Sequence, residues 1–318
     1  MIEHVLVMAA GRGQRMGSLT RTRPKALLPI MGKPMIARVM DRFYDIGIRR
    51  FTVVVGEQEG AVAAWLNKKW HVDVSLDFVP QGFERGTAAA LIAAKEVIGG
   101  PFVLSSCDNL ITSEHALALR EYFDRHSGDV AGLSVIYTPD EISESAAVIL
   151  DPRGYAVYVA EKPGEGYQEA MTVISVYAFT PIVFDYLGQV GLSKRGEREL
   201  TAAIMAMVDD RRPVGHIKVK ERHHISYPQD LLAINLHYLK EGRDANILSD
   251  LSKDVEVIAP VRVDPRVSVG QGAVIGPNVY LESDTVIGQS VRLKNAVVLG
   301  RTISAGQTVI DEIVNENR

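Results

Sequence analysis

Between residues 255 and 309 an apolar or small residue returns at every sixth position: Val255, Val261, Val267, Ala273, Val279, Thr285, Val291, Val297, Ile303 and Val309. A second series runs two places later, through Val257, Val263, Val269, Ile275, Leu281, Ile287, Leu293 and Leu299, and Gly270, Gly276, Gly288 and Gly300 fall in many of the turns. A six-residue period is the mark of a parallel β-helix, in which each coil takes three hexads and the apolar positions stack inward. The pattern predicts about three such coils over 255–318, a linker over 243–254 and a separate domain over 1–242. A solenoid this short leaves its ends and faces to be covered, so it is expected to pack on the first domain or on another copy of the chain.

A length of 318 residues is comfortable for two domains. The formal net charge of -4 comes from mixed rather than blocked charges, which leaves no basic footprint for nucleic acid or an anionic membrane. Small molecules and copies of itself are the expected partners. With Cys107 as its one cysteine the chain has no internal disulfide framework, which suits a reducing compartment. The apolar start is too short for a signal peptide and lacks a basic leader, and no stretch approaches the ~20 apolar residues of a membrane span. A soluble cytoplasmic protein is expected.

The chemistry begins at the amino terminus. The apolar run Val5 to Ala10 reads as a buried strand, and it opens into a glycine-punctuated turn, Gly11-Arg-Gly-Gln-Arg-Met-Gly17, followed by Pro24-Lys-Ala-Leu-Leu-Pro29 and Gly32-Lys-Pro34. Glycines let backbone N–H groups approach an anion closely, and Arg12, Arg15 and Lys25 supply positive charge. The stretch is a phosphate cradle of neither common kind. Met16 stands where the dinucleotide fingerprint needs a third glycine, and Pro34 follows Lys33 where a Walker loop needs Ser or Thr. Helical spacing over Pro34 to Gly47, a strand over Phe51–Val55, a helix over 57–69 and a strand over Val72–Val79 then alternate as in a doubly wound, mostly parallel sheet.

The pattern Gly-x-Gly-x-Arg-Met followed by Pro-Lys-x-x-x-Pro resembles the sugar-phosphate nucleotidyltransferases, enzymes that make nucleotide sugars. The resemblance implies an α/β fold, with a Rossmann-like mixed, mostly parallel sheet and flanking helices, followed by a short left-handed parallel β-helix. It implies that Ala10, Gly11 and Gly13 line the nucleotide and that Arg15 and Lys25 hold its phosphates. In Val79-Pro-Gln-Gly-Phe-Glu-Arg-Gly-Thr-Ala-Ala-Ala90 the base-reading residues of the family fall on Gln81, Gly86 and Thr87. An amide both donates and accepts, which suits uracil or thymine. Cys107-Asp108-Asn109 matches the family's metal-binding segment, making Asp108 the ligand of Mg²⁺. In Val159-Ala-Glu-Lys-Pro163 the resemblance gives Lys162 the sugar phosphate and Glu161 a sugar hydroxyl, and Glu199 is a further sugar contact or a helix-start carboxylate.

Departures fall on the sugar and metal side. Ala147 replaces a common glycine, and Val173, Ser175 and Tyr177 stand where the family writes Asn-x-Gly-Ile-Tyr, so the pocket that would include Ala147, Val173 and Tyr177 is altered. In His223-His-Ile-Ser-Tyr-Pro-Gln-Asp230 the family's second metal-binding aspartate falls on His224, an imidazole that suits Mg²⁺ badly. No histidine follows His237, so the acetyl transfer that some relatives carry out on their β-helix is not expected. The expected activity is transfer of a nucleotidyl group from UTP or dTTP to a sugar 1-phosphate, with a homo-oligomer formed through the β-helix. Two alternatives are a catalytically silent nucleotide-binding or regulatory subunit and transfer to an unusual, non-glucose acceptor phosphate.

Overall fold

The computed structural model describes residues 2–56, 60–82, 86–164, 166–167 and 169–317. Its internal contacts divide the chain into two compact units, one of Met1–Arg12 with Ile36–Arg222 and one of Gly13–Met35 with His223–Arg318. No helix among the described residues is long and apolar enough to cross a membrane.

The first unit is a mixed sheet flanked by helices. Its strands and helices follow one another as β1 (His4–Met8), α1 (Met35–Tyr44), β2 (Arg50–Val55), α2 (Gly60–Lys69), β3 (Ser75–Pro80), α3 (Thr87–Ala93), β4 (Phe102–Ser106) and α4 (Ser113–Arg125). After these come β5 (Ala131–Ile136), β6 (Ala146–Leu150), β7 (Ala156–Glu161), β8 (Met171–Phe179), α5 (Val183–Leu187), α6 (Leu200–Asp209) and β9 (Val214–Lys218). The sheet order is β7-β6-β8-β4-β1-β2-β3, with β5 pairing both β8 and β9. Strands β4, β1, β2 and β3 are mutually parallel, whereas β8 runs antiparallel to β4, β5 and β6. Val5, Leu6 and Val7 are all fully buried, as expected of a parallel strand covered on both faces. α1 buries Ile36, Val39, Met40 and Phe43 and stops before Gly47, whose φ of 90° ends the helix where a side chain would be strained.

Two expectations shift. The strand expected from Val72 begins at Ser75, which pairs with Arg50 at the start of β2; Val72 is 96% exposed, and Asp73 before the ladder accepts from Tyr44 Oη and Arg49 Nε. The helix expected over 57–69 is present from Gly60, and residues 57–59 lie outside the described ones.

The second unit holds the parallel β-helix, the segment Gly13–Met35 and α7 (Pro228–Lys240). Short parallel strands stack coil on coil: Val261 stands beside Val279 and Val274 beside Arg292, eighteen residues on in each case. The even hexad count then fails. Val279 is beside Ala296, seventeen on, and Ile287 beside Ile303 and Leu293 beside Val309, each sixteen on. Later coils are therefore shorter, and Ile303 and Val309 stack on the second inward series rather than the first. Ala296 and Val298 enter the apolar core in place of Val297 and Leu299, since shifting a strand by one residue exchanges its faces. Val297 nonetheless stays fully buried on the outer face beside Tyr280, where α7 lies against both strands.

Candidate active site

Because β1, β2, β3 and β4 are parallel, their carboxyl ends emerge together: Met8 stands beside Val54 and Ser106, and Val55 beside Pro80. Open α/β sheets bind ligands at this edge. Ala10 and Gly11 follow β1, Gln81 follows β3, and Asp108 lies in the turn between β4 and the short strand Asn109–Leu110. Ala10 is half-buried against the sheet core, and Gly11 is exposed, with nothing within 4 Å of where a Cβ would stand. Cys107 N donates to Met8 O at 3.1 Å, fixing the turn that carries the half-buried Asp108 to the end of β1.

Gln81, Gly86 and Thr87 are also gathered. Gln81 N donates to Val55 O at 2.8 Å, and its side-chain Nε2 reaches Gly86 O at 3.5 Å. Gly86 has φ of 109°, and a Cβ there would meet Arg198 O at 2.2 Å, so this glycine answers a close backbone approach. Thr87 Oγ1 accepts from Leu200 N at 2.9 Å, which ties the start of α3 to the start of α6. Phe83, Glu84 and Arg85 in the same loop lie outside the described residues.

A second cluster forms beyond β7. Glu161 ends that strand, and Lys162 follows with φ of 45°, a left-handed conformation uncommon for a side-chain-bearing residue. Lys162 N donates to Ser145 O at 3.0 Å. Glu199 stands at the N-cap of α6 without capping it, and its Oε1 accepts from Arg195 Nη2 at 2.7 Å and from Ser193 Oγ at 3.1 Å. The same Arg195 nitrogen donates to Glu161 Oε1 at 3.3 Å, so one guanidinium joins the two carboxylates. Burial, and then the charge of Glu199, pushes the Glu161 carboxyl above its ordinary range, against the pull of Arg195 and Lys162. Tyr177 is buried, and desolvation followed by the charge of Glu161 raises its phenol.

Sequence reasoning did not single out Arg195 or Ser193. The available signal was the four-residue spacing of Arg195 and Glu199. Ala147 and Val173 are both buried: Ala147 packs with Ile142 and Ala170, and Val173 belongs to the main core of the sheet unit.

In the second unit Gly13, Arg15, Lys25 and His224 are described by their own neighbours. Gly13 takes φ of 62°, and its carbonyl accepts from Met16 N at 2.9 Å and Thr20 Oγ1 at 3.0 Å, closing a tight loop over the buried Lys25. The exposed Arg15 places its guanidinium carbon 5.3 Å from the ring centre of Tyr227, a cation–π contact. His224 is exposed, and its Nε2 pairs with Ser226 Oγ at 3.1 Å. Asn235 of α7 accepts from Met31 N at 2.8 Å and so holds the segment after Lys25.

A family model described as nucleotidyl transferase matches residues 4–241, and a second, described as the GMPPB C-terminal domain, matches 257–318. The chain belongs to the nucleotidyl transferase family. Among relatives, a UTP–glucose-1-phosphate uridylyltransferase AglF of Haloferax volcanii is 29% identical over 71% of this chain and 92% of its own. A glucose-1-phosphate thymidylyltransferase of Streptomyces griseus is 25% identical over 86% of this nucleotidyltransferase and 76% of its own length. The crystal structure of a UDP-glucose pyrophosphorylase complexed with UDP-glucose superposes with a TM-score of 0.71 at 21% identity, covering 76% of this chain and all of the other, which is a likeness of fold.

Proposed function

We propose that this nucleotidyltransferase joins UTP or dTTP to a sugar 1-phosphate and releases pyrophosphate. The reading is carried by the family match over 4–241, which spans every residue assigned to the reaction. A phosphate oxygen of the sugar 1-phosphate attacks the α-phosphorus in line. The bond from that phosphorus to the oxygen bridging it to the β-phosphate breaks, and pyrophosphate leaves with that oxygen. No covalent intermediate is required, and positioning with charge neutralisation supplies the rate.

In this reading Ala10, Gly11 and Gly13 give the triphosphate its backbone cradle, and Arg15 and Lys25 neutralise it and the leaving pyrophosphate. Gln81, on a loop fixed by Gly86 and Thr87, reads the base. Lys162 binds the incoming phosphate, and Glu161 and Glu199, bridged by Arg195, accept from sugar hydroxyls. The half-buried carboxylate of Asp108, with substrate phosphates and water, is a donor set that fits Mg²⁺, which takes one or two carboxylates and keeps several waters. Bound there, Mg²⁺ supplies positive charge to the phosphates. His224 does not fit that ion, being an imidazole already paired with Ser226. Contacts between copies are assigned to the β-helix, and light scattering should return a mass above that of one chain.

The test supplies each nucleoside triphosphate with a panel of sugar 1-phosphates and other acceptor phosphates, with Mg²⁺, and follows pyrophosphate. Turnover with UTP or dTTP is expected and should stop with a chelator; no turnover on any pair by folded protein sinks the reading. The changes at Ala147, Val173, Ser175 and His224, all on the sugar or metal side, support a second reading, a silent nucleotide-binding subunit. Nucleotide binding without turnover selects it, whereas turnover gained only by His224→Asp marks the histidine as the defect.

A further inference from the structure

The segment that carries Arg15 and Lys25 is tied to the β-helix, and the tie is polar. Arg23 donates from Nη1 and Nη2 to the two carboxylate oxygens of Glu282 at 2.6 and 3.0 Å, a bidentate pair across 259 positions of sequence. Both side chains are largely covered, at 32% and 17% exposure, so the pair is screened less than a surface one. Glu282 is itself fixed at both ends of its peptide: its N donates to Val298 O at 2.9 Å, and its carbonyl accepts from Thr285 N at 3.2 Å. A second tie lies earlier in the segment, where Asn315 Nδ2 donates to Ser18 Oγ at 2.9 Å.

Arg23 stands two residues before Lys25, and Pro24 between them has its φ fixed by its ring, so the position of the Arg23 backbone is passed to Lys25 with little slack. A cavity of about 240 Å³ lies beside the pair, lined among others by Asp284 and Arg301. Apolar packing does not fill that space, so there the ion pair holds the loop to the coil, alongside the Asn315–Ser18 bond; a second, smaller gap is lined among others by Leu19, Leu28 and Leu299.

We propose that Glu282 of the β-helix is a positioning residue for nucleotidyl transfer, holding Arg23 and, through Pro24, the loop that presents Lys25 and Arg15 to the triphosphate. The inference rests on the assignment of Lys25 and Arg15 to the triphosphate. It makes the β-helix part of the triphosphate apparatus as well as a candidate contact between copies.

The test measures steady-state kinetics and calorimetric titration with UTP and dTTP in the presence of Mg²⁺, on the full chain. Glu282→Gln should raise KM for the triphosphate and lower kcat so that kcat/KM falls about tenfold to a hundredfold, while KM for the sugar 1-phosphate stays within about twofold. Arg23→Gln should do the same, and the double variant should be no worse than either single one, because each acts through the other. Glu282→Asp should recover part of the loss. In a protein that binds nucleotide without turnover, the same ordering should be read in the triphosphate Kd. Equal changes for both substrates, additive losses, or an unchanged triphosphate KM and Kd in the folded Glu282→Gln variant overturn the inference. Lys25→Ala separates its failure from that of the assignment beneath it. If Lys25→Ala leaves triphosphate binding and turnover intact, the assignment falls; if it impairs them and Glu282→Gln does not, only the positioning role falls.

Discussion

Gly13 and Lys25 are fitted face to face: a Cβ on Gly13 would stand 2.9 Å from the Cβ of Lys25 and 3.1 Å from Cγ2 of Thr20, on a backbone already at φ of 62°. An L side chain at such an angle costs roughly 1–2 kcal/mol before any clash is counted. Gly13→Ala should therefore displace Lys25, lower kcat/KM for the triphosphate at least about tenfold, and lower the melting temperature by only several degrees. Kinetics beside a melting curve check it; an unaltered rate would show that Lys25 does not depend on this contact.

The bridge through Arg195 sets a pH dependence. Glu161 has its carboxyl raised by burial and by Glu199, and it is drawn down by Arg195. If ionised Glu161 is needed to accept from the sugar, activity is lost as pH falls through its raised value. Glu199→Gln removes a negative neighbour and should move the acid limb of kcat/KM to lower pH, whereas Arg195→Gln should move it to higher pH. Shifts in the same direction for both variants would refute this electrostatic account.

Two buried histidines in the sheet unit should make folding acid-sensitive. His4, bonded to Thr52 Oγ1 at 2.9 Å, and His115, bonded to Ser134 Oγ at 2.9 Å, both have pKa values lowered from 6.5 to about 4, with burial as the main cause. Between those values the unfolded chain binds more protons than the folded one, so stability is full above pH 6.5 and falls as pH drops towards 4. The ceiling is roughly 3 kcal/mol per histidine at 1.36 kcal/mol per pH unit. His115→Gln should flatten the fall in urea-unfolding stability between pH 7 and pH 4.5, whatever its effect at pH 7.

Among the described residues Tyr280 is the largest fully buried side chain, and its hydroxyl donates to Asp264 Oδ2 at 2.9 Å. Asp264 also takes Arg262 Nη2 at 2.7 Å, so it is not stranded when the phenol is removed. Tyr280→Phe should cost about 1–2 kcal/mol in the unfolding of the second unit and leave nucleotide binding unchanged. A loss above about 4 kcal/mol would mean that the network, and not one hydrogen bond, depends on this hydroxyl.

Much of the fold was legible because its signals are local. Val5, Leu6 and Val7 form a run apolar enough to be covered on both faces, and Gly47 stops a helix by its own backbone freedom. The candidate site was legible where a strand ends in a polar or glycine residue, as at Gly11, Gln81 and Asp108. It was less legible where burial decides. Ala147 and Val173 lie within the packed sheet, and nothing in their spacing distinguishes a pocket wall from a core. Arg195 gains its place only because α6 and the end of β7 bring Glu199 and Glu161 within reach of one guanidinium.

The hexad series shows the same division. Its period by itself determined that the carboxyl-terminal chain coils into parallel strands, since a six-residue repeat buries its apolar positions best that way. Tertiary structure decided the register after Val279: the coils shorten, Ala296 and Val298 turn inward, and Val297 is buried outside beneath α7. It also decided that Gly13–Met35, the segment bearing Arg15 and Lys25, packs with the β-helix, through Arg23 on Glu282 and Asn315 on Ser18. A period records which side chains avoid water, and it carries no information about which distant segment supplies the cover or the opposite charge.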